Sequence, residues 1–97
     1  MGIGMSLLEE TLFDSATGHI TNATFGDYLI PANADVPDLD VVFVGEPDKL
    51  NPIGSKGLGE IGIVGVPAAI ANAFFNATGK RLRDLPFGSD RIKAVLT

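Results

Sequence analysis

The chain lacks cysteine and tryptophan, and it has one histidine and one tyrosine among its 97 residues. Without cysteine it can form neither a disulfide nor a thiolate-ligated zinc or iron–sulfur site, and one histidine cannot build a zinc site by itself. Cysteine-free chains suit a reducing compartment, so we expect a cytoplasmic location. The residue inventory therefore excludes disulfide chemistry and metal sites that depend on cysteine ligands.

Basic residues are absent from positions 1–48, which hold nine of the twelve acidic residues. All seven Lys and Arg residues follow, beside the other three acids, and the formal net charge is −5. This balance disfavours binding to nucleic acid. The interpretation we favour is that the two halves pack together and neutralise one another. The alternative is that the acidic half faces a basic surface on a partner.

Long hydrophobic runs are also missing, because Gly, Pro or a charged residue interrupts each one, and we therefore expect no membrane span. The start of the chain lacks the basic cluster that is typical of a signal peptide, so we expect none. Hydrophobic residues nevertheless make up 45% of the chain, and the mean hydropathy is +0.28, which excludes disorder by composition. A single small domain over residues 1–97 can bury only part of this surface, so apolar surface is expected to remain for an interface.

The local patterns predict an α+β fold. Three helices are expected: an N-terminal one without an N-cap, a long apolar one and a short terminal one, at Gly2–Glu10, Pro67–Ala77 and Arg91–Leu96. Proline suits the first turn of the long helix and Gly79 suits its C-cap. A small antiparallel sheet is expected within residues 11–44, from a hairpin around the turn Asp14–Gly18 and from strands at Tyr28–Ile30 and Leu39–Val44.

The Gly- and Pro-rich stretch 45–59 is a loop by composition and is long enough to be functional. Gly57–Gly62 matches the spacing G-x-G-x-x-G, but loop rather than a buried strand precedes it, so a dinucleotide-binding fold is not favoured. Glycine lets a backbone approach a ligand closely, and successive N–H groups can bind an anion, to which Lys56 can add a charge. Glu60 is either a general acid or base or a solvated acid at a helix start.

Five landmarks in one order make this chain resemble a known family: the molybdopterin-binding large subunit of xanthine dehydrogenases and aldehyde oxidases, near its C-terminus. The landmarks are Gly4–Glu10, Asp27–Pro31, Asp35–Pro37, the Gly-Lys-Gly-like loop ending at Glu60, and Pro67–Ala73. The resemblance covers essentially the whole chain. It implies that the chain is one piece of a larger molybdenum-binding domain, with the cofactor and catalytic loop at residues 51–62.

The resemblance also implies roles for individual residues. Glu60 would be the catalytic base in the oxidation of an aldehyde or N-heterocycle with water-derived oxygen. The pterin cofactor would be lined by the residues before it: Ser55, Lys56, Gly57, Leu58 and Gly59. The implied cofactor is molybdenum–molybdopterin, with the cytosine dinucleotide form as one option, and the metal would take no ligand from this chain. The implied partners are the remainder of the large subunit and iron–sulfur and flavin subunits or domains.

Two functions from different classes stay open. The first is a segment of a molybdenum hydroxylase, which would be inactive and without cofactor in isolation, because one loop cannot hold an organic metal cofactor. The second is a stand-alone interaction or complementing module without catalysis. The over-apolar long helix and the missing N-cap favour the first function.

Overall fold

The computed structural model describes residues 1–97 and contains four α-helices. These are α1 (Gly2–Leu7), α2 (Ile61–Val64), α3 (Val66–Thr78) and α4 (Ser89–Leu96), with a 3-10 turn at Asn33–Asp35. The three predicted helices are confirmed as α1, α3 and α4, and the one-turn helix α2 was not predicted. Most of the remaining chain is turn and irregular structure.

The predicted antiparallel sheet is wrong, because the chain contains no strand. The hairpin is reduced to a single antiparallel bridge between Phe13 and Ile20. Its turn forms as expected: Gly18 adopts a positive φ of 71°, and its N–H donates to the Asp14 carbonyl at 2.7 Å. One bridge does not extend into a ladder, so the fold is helical and irregular rather than α+β.

The predicted strand Leu39–Val44 is extended but unpaired. Residues 36–47 make no hydrogen bond to any other part of the chain, and the exposed fraction of Val44 reaches 91%. Strand preference expresses packing of β-branched side chains against cross-strand neighbours, and this segment has none. Tyr28–Ile30 likewise forms no strand.

The residues at the two ends of helix α3 explain where it begins and ends. Pro67 lies in its first turn, where a missing N–H breaks no hydrogen bond. Gly79 closes it in the left-handed conformation with φ 72°, and its N–H donates to the Phe75 carbonyl. Helix α1 has no side-chain N-cap, as expected.

The start of α1 packs closely against the start of α3. A Cβ placed on Gly2 would lie 2.7 Å from Cγ2 of Val66, so only glycine allows this approach. One turn further on, the buried Ser6 hydroxyl donates to the Gly2 carbonyl at 2.6 Å. The Ser6 carbonyl in turn accepts the N–H of Phe87. Phe87 and Leu82 are the only buried hydrophobic side chains, so the core lies beside α1.

The chain is more open than a compact domain of its length. Its Cα radius of gyration is 18.0 Å, whereas a compact 97-residue domain has about 12.5 Å. Its accessible surface is 7894 Å², against about 5,300 Å² for a folded monomer of this mass. No residue of α3 is buried, so the expected surplus of apolar surface is confirmed.

The helical stretch that begins after Glu60 bears on the expectation that the chain has no membrane span. Ile61–Thr78 spans 18 residues with a mean hydropathy of 1.5, which is long and apolar enough to cross a membrane by length and composition alone. Gly65 separates α2 from α3, but its backbone angles are helical, and Pro67 lies in the first turn of α3, where proline is tolerated. Helices in the cores of soluble proteins meet the same criterion.

A single ion pair joins the acidic and basic halves of the chain. It links Arg91 to Glu10, and the only other ion pair, Lys93–Asp90, lies within the basic half. The favoured neutralisation of one half by the other is therefore limited to one contact, and most charges stay solvated.

Candidate functional site

The segment 48–55, which leads into the candidate site, is shaped by its own hydrogen bonds. The Asp48 carboxylate accepts the backbone N–H of Leu50 at 2.7 Å and of Asn51 at 3.0 Å. The Asp48 N–H donates to the Gly54 carbonyl, and the Gly54 N–H donates to the Asn51 carbonyl at 2.8 Å. Asp and Asn favour such turns because their short side chains accept from the backbone two or three residues on.

Asn51 also contacts Ser55 through its side chain. Its amide nitrogen Nδ2 donates to Ser55 Oγ at 2.6 Å and to the Ser55 carbonyl at 3.3 Å. Its amide oxygen Oδ1 accepts the N–H of Ile53 at 3.2 Å. These bonds fold the chain back on itself immediately before the glycine-rich part of the loop.

The glycine-rich part, residues 55–59, is exposed along its length. A Cβ placed on Gly57 or Gly59 would meet no atom within 4 Å, and Gly59 has a positive φ of 54°. Neither ion pair of the structure involves Lys56. An open backbone with Lys56 in the same loop fits an anionic ligand that approaches the backbone closely.

Glu60 lies directly before α2, at the edge of a cleft of ≈ 330 Å³. The walls of the cleft include Gly2 of α1, Ile63 of α2 and Val66 of α3. Glu60 occupies the N-cap position of α2, yet its side chain makes no capping hydrogen bond. The carboxylate is exposed and free to accept a hydrogen bond from a ligand.

The structure divides the predicted site residues between two neighbouring surfaces. Leu58, Gly59 and Glu60 line the cleft beside α1. Ser55, Lys56 and Gly57 line a shallower surface together with Asp48 and Asn51. No group of three His, Asp or Glu side chains lies close enough to hold a metal ion.

Sequence reasoning missed Asp48 and Asn51, which shape this loop. Their signal was present as an Asp followed three residues later by an Asn, ahead of Pro52 and Gly54, which is a composition typical of successive turns. The composition identified a loop, but it did not identify which side chains hold the loop together.

Comparison with known proteins identifies the class of the chain. A family model described as a molybdopterin cofactor-binding domain matches residues 1–37. The chain is 43% identical over 93 residues to the molybdenum-binding subunit PaoC of an Escherichia coli K12 aldehyde oxidoreductase, covering 95% of this chain and 13% of that subunit. It is 35% identical over 88 residues to the nicotine 6-hydroxylase large subunit of Paenarthrobacter nicotinovorans, covering 91% of this chain and 10% of that subunit.

A solved structure shares the fold as well. Quinoline 2-oxidoreductase from Pseudomonas putida 86 matches with a TM-score of 0.83 and 34% sequence identity, over 98% of this chain and 12% of that one. The chain belongs to the molybdenum-binding subunits of the xanthine dehydrogenase and aldehyde oxidoreductase family. It spans about one eighth of the length of two curated relatives that it matches, at 13% and 12% of them.

Proposed function

We propose that this chain forms part of a molybdenum hydroxylase that oxidises aldehydes or N-heterocycles with oxygen taken from water, and that Glu60 is the catalytic base. The observation that carries the proposal is the position of Glu60. It is an exposed carboxylate without a hydrogen bond, at the edge of a cleft and directly after an open glycine loop. The names of the relatives, which refer to aldehyde, xanthine, nicotine and quinoline, support this substrate class.

The loop residues fit a pterin cofactor. Ser55, Lys56, Gly57, Leu58 and Gly59 would hold it through the serine hydroxyl, the lysine charge and backbone N–H groups that no side chain covers. Molybdenum–molybdopterin, when bound, supplies the two-electron redox chemistry that no side chain of this cysteine-free chain supplies. These contacts suit the pterin itself, which the plain and cytosine dinucleotide forms share.

The role of Glu60 is proton transfer. Glu60 would accept the proton that the water-derived oxygen releases as this oxygen attacks the electrophilic carbon of the substrate, and the bound cofactor would supply the two-electron acceptor. A carboxylate suits this role because it makes no competing bond here and can rotate toward the cleft.

The partners follow from the surplus of exposed surface. The remainder of the large subunit would cover α3, whose apolar residues are not buried in this chain. Iron–sulfur and flavin subunits or domains would carry the electrons onward, in the cytoplasm. Several relatives are named as subunits, which supports assembly with other chains. The 97 residues alone would be inactive, since the other walls of the site are missing.

The test replaces Glu60 with Gln in the complete molybdenum-binding polypeptide. We expect turnover to fall about 100-fold or more, the scale of a lost acid–base group, while molybdenum content measured by mass spectrometry stays at the wild-type level. Glu46→Gln is the matched control, because Glu46 is exposed and makes no hydrogen bond. Wild-type turnover in Glu60→Gln would remove Glu60 from the mechanism.

A second candidate, an interaction module without catalysis, is supported by the 7894 Å² of accessible surface. The size of the native polypeptide separates the two functions. An antibody against residues 61–78 should detect a band about eight times larger than this chain if it is part of a molybdenum-binding subunit. A band at 10.1 kDa would favour the module.

A further inference from the structure

The orientation of the Asn51 side-chain amide is fixed by its neighbours. The backbone N–H of Ile53 points at one amide atom at 3.2 Å, and because an N–H can only donate, that atom must be the oxygen Oδ1. The nitrogen Nδ2 therefore faces Ser55 and donates to its hydroxyl oxygen at 2.6 Å. The reverse orientation would set two donors against each other at Ile53.

This orientation determines what the Ser55 hydroxyl can do. A hydroxyl has one proton to donate and two lone pairs that accept. Because Nδ2 of Asn51 donates to Oγ, the bond between them leaves the Ser55 proton unused, and the hydroxyl donates to no other atom of the chain. Ser55 is exposed, so its hydroxyl is presented outward as a hydrogen-bond donor.

Asn51 is itself held from both sides of its backbone. Its N–H donates to the Asp48 carboxylate at 3.0 Å, and its carbonyl accepts the Gly54 N–H at 2.8 Å. The side chain therefore starts from an anchored backbone, and little conformational freedom remains to be lost when a ligand arrives.

We infer that Asn51 is a positioning residue, which fixes Ser55 as a donor to an acceptor atom of the bound pterin cofactor. The inference rests on the proposed function, since it needs the cofactor to lie on residues 55–59. Asn51 need not touch the cofactor. It acts by setting the direction of the Ser55 hydroxyl before binding.

The decisive variant is Asn51→Asp in the complete molybdenum-binding polypeptide. A carboxylate keeps the shape of the side chain and the acceptor for Ile53, but it places an acceptor opposite Ser55. The Ser55 hydroxyl then donates to that carboxylate and is lost to the cofactor. We expect molybdenum to dissociate about tenfold faster on dialysis, which is the scale of one lost hydrogen bond.

Asn51→Ala separates positioning from a merely structural role. Alanine frees the Ser55 hydroxyl to rotate toward the cofactor, so we expect a smaller increase in dissociation rate than in Asn51→Asp. A structural role predicts the reverse order, because alanine loses all three side-chain bonds, whereas aspartate keeps the bond to Ile53 and can accept one from the Ser55 hydroxyl. Faster loss of molybdenum from Asn51→Ala than from Asn51→Asp would overturn the inference.

The double variant tests whether the effect passes through Ser55. With Ser55→Ala in the background, Asn51→Asp should add no further increase, whereas simple charge repulsion would add its full effect again and overturn the inference. Asn33→Asp, a change of the same chemistry at an exposed residue of the 3-10 turn, should leave dissociation unchanged. A tenfold effect there would assign the result to charge alone.

The possible outcomes distinguish a failure of this inference from a failure of the proposed function. Ser55→Ala with wild-type molybdenum retention would remove Ser55 from the cofactor site and refute that part of the proposed function. Faster loss from Ser55→Ala, with normal retention in Asn51→Asp, would refute only the role of Asn51. Circular dichroism and gel filtration identify any variant that fails to fold.

Discussion

Arg91 binds Glu10 across a separation of 81 positions, and this is the only ion pair between the acidic and the basic half of the chain. Its Nη2 lies 2.5 Å from Oε1 of Glu10, and both side chains are about half exposed, at 40% and 41%. Nη1 donates to the Pro86 carbonyl at 3.0 Å. One guanidinium thus ties the segment after α1 to the segment before α4.

The Arg91–Glu10 pair should show a small but measurable coupling. In a double-mutant cycle of Arg91→Ala and Glu10→Gln, we expect a coupling free energy of about 0.2–1 kcal/mol, because half-exposed pairs are screened by water. Arg91→Ala alone should destabilise more than Glu10→Gln, since it also leaves the Pro86 carbonyl without its donor. Urea unfolding of the four proteins measures these differences.

The pair Lys93–Asp90 is the control, with its charged atoms 3.9 Å apart and highly exposed. Its cycle should give a coupling near zero. Equal couplings for the two pairs would contradict the distinction.

The turn around Asp14 predicts a pH effect. The Thr17 hydroxyl, and after it the Ala16 N–H, donate to the Asp14 carboxylate and lower its pKa below the ordinary value of 3.8. A lowered pKa means that these bonds stabilise the turn above pH 3.8 and that the stabilisation is lost as the pH falls through the lower pKa of the folded state.

Removing the Thr17 hydroxyl should reverse most of the lowering of the Asp14 pKa. In Thr17→Val we expect the pKa of Asp14 to rise toward 3.8, measured by NMR titration of its carboxyl carbon. Ser15→Ala is the control, because the Ser15 side chain makes no hydrogen bond to Asp14. A pKa of Asp14 unchanged by Thr17→Val would refute the assignment.

The end of α3 depends on a glycine. Alanine at Gly79 must adopt φ 72°, and we expect it to destabilise by about 1 kcal/mol, because a Cβ clashes in the left-handed region. Gly65→Ala provides the matched control: Gly65 has φ −82° and open space around a Cβ. That change should be neutral or stabilise by about 0.4–1 kcal/mol. Thermal unfolding compares the two variants, and an equal loss of stability in both would contradict the role assigned to the positive φ of Gly79.

Helices α1, α3 and α4 could be predicted from sequence because their signals are local. Pro67 and Gly79 mark the ends of α3 by their own backbone chemistry, whatever surrounds them. The strands could not be predicted in this way, because a strand needs a neighbouring strand to pair with. Leu39–Val44 has the composition of a strand but no partner in this chain.

In the candidate site, too, the local features could be predicted and those that depend on spatial neighbours could not. Glu60 and the glycines stood out because their residue types carry chemistry in a loop. The role of Asn51 was not visible in the sequence, since it follows from which amide atom faces Ile53 and which faces Ser55. Hydrogen-bond direction is a property of three-dimensional placement, and a sequence pattern does not encode it locally.

The unpaired segment 36–47 also carries an aggregation hazard. Val41–Val44 are 70–91% exposed, and such β-branched, apolar stretches pair with copies of themselves into cross-β aggregates. The flanking residues oppose this: Pro37 and Pro47 have no N–H to extend a ladder, and Asp38 and Asp40 repel a second copy. These four residues have the character of gatekeepers, which disfavour pairing of the segment with copies of itself.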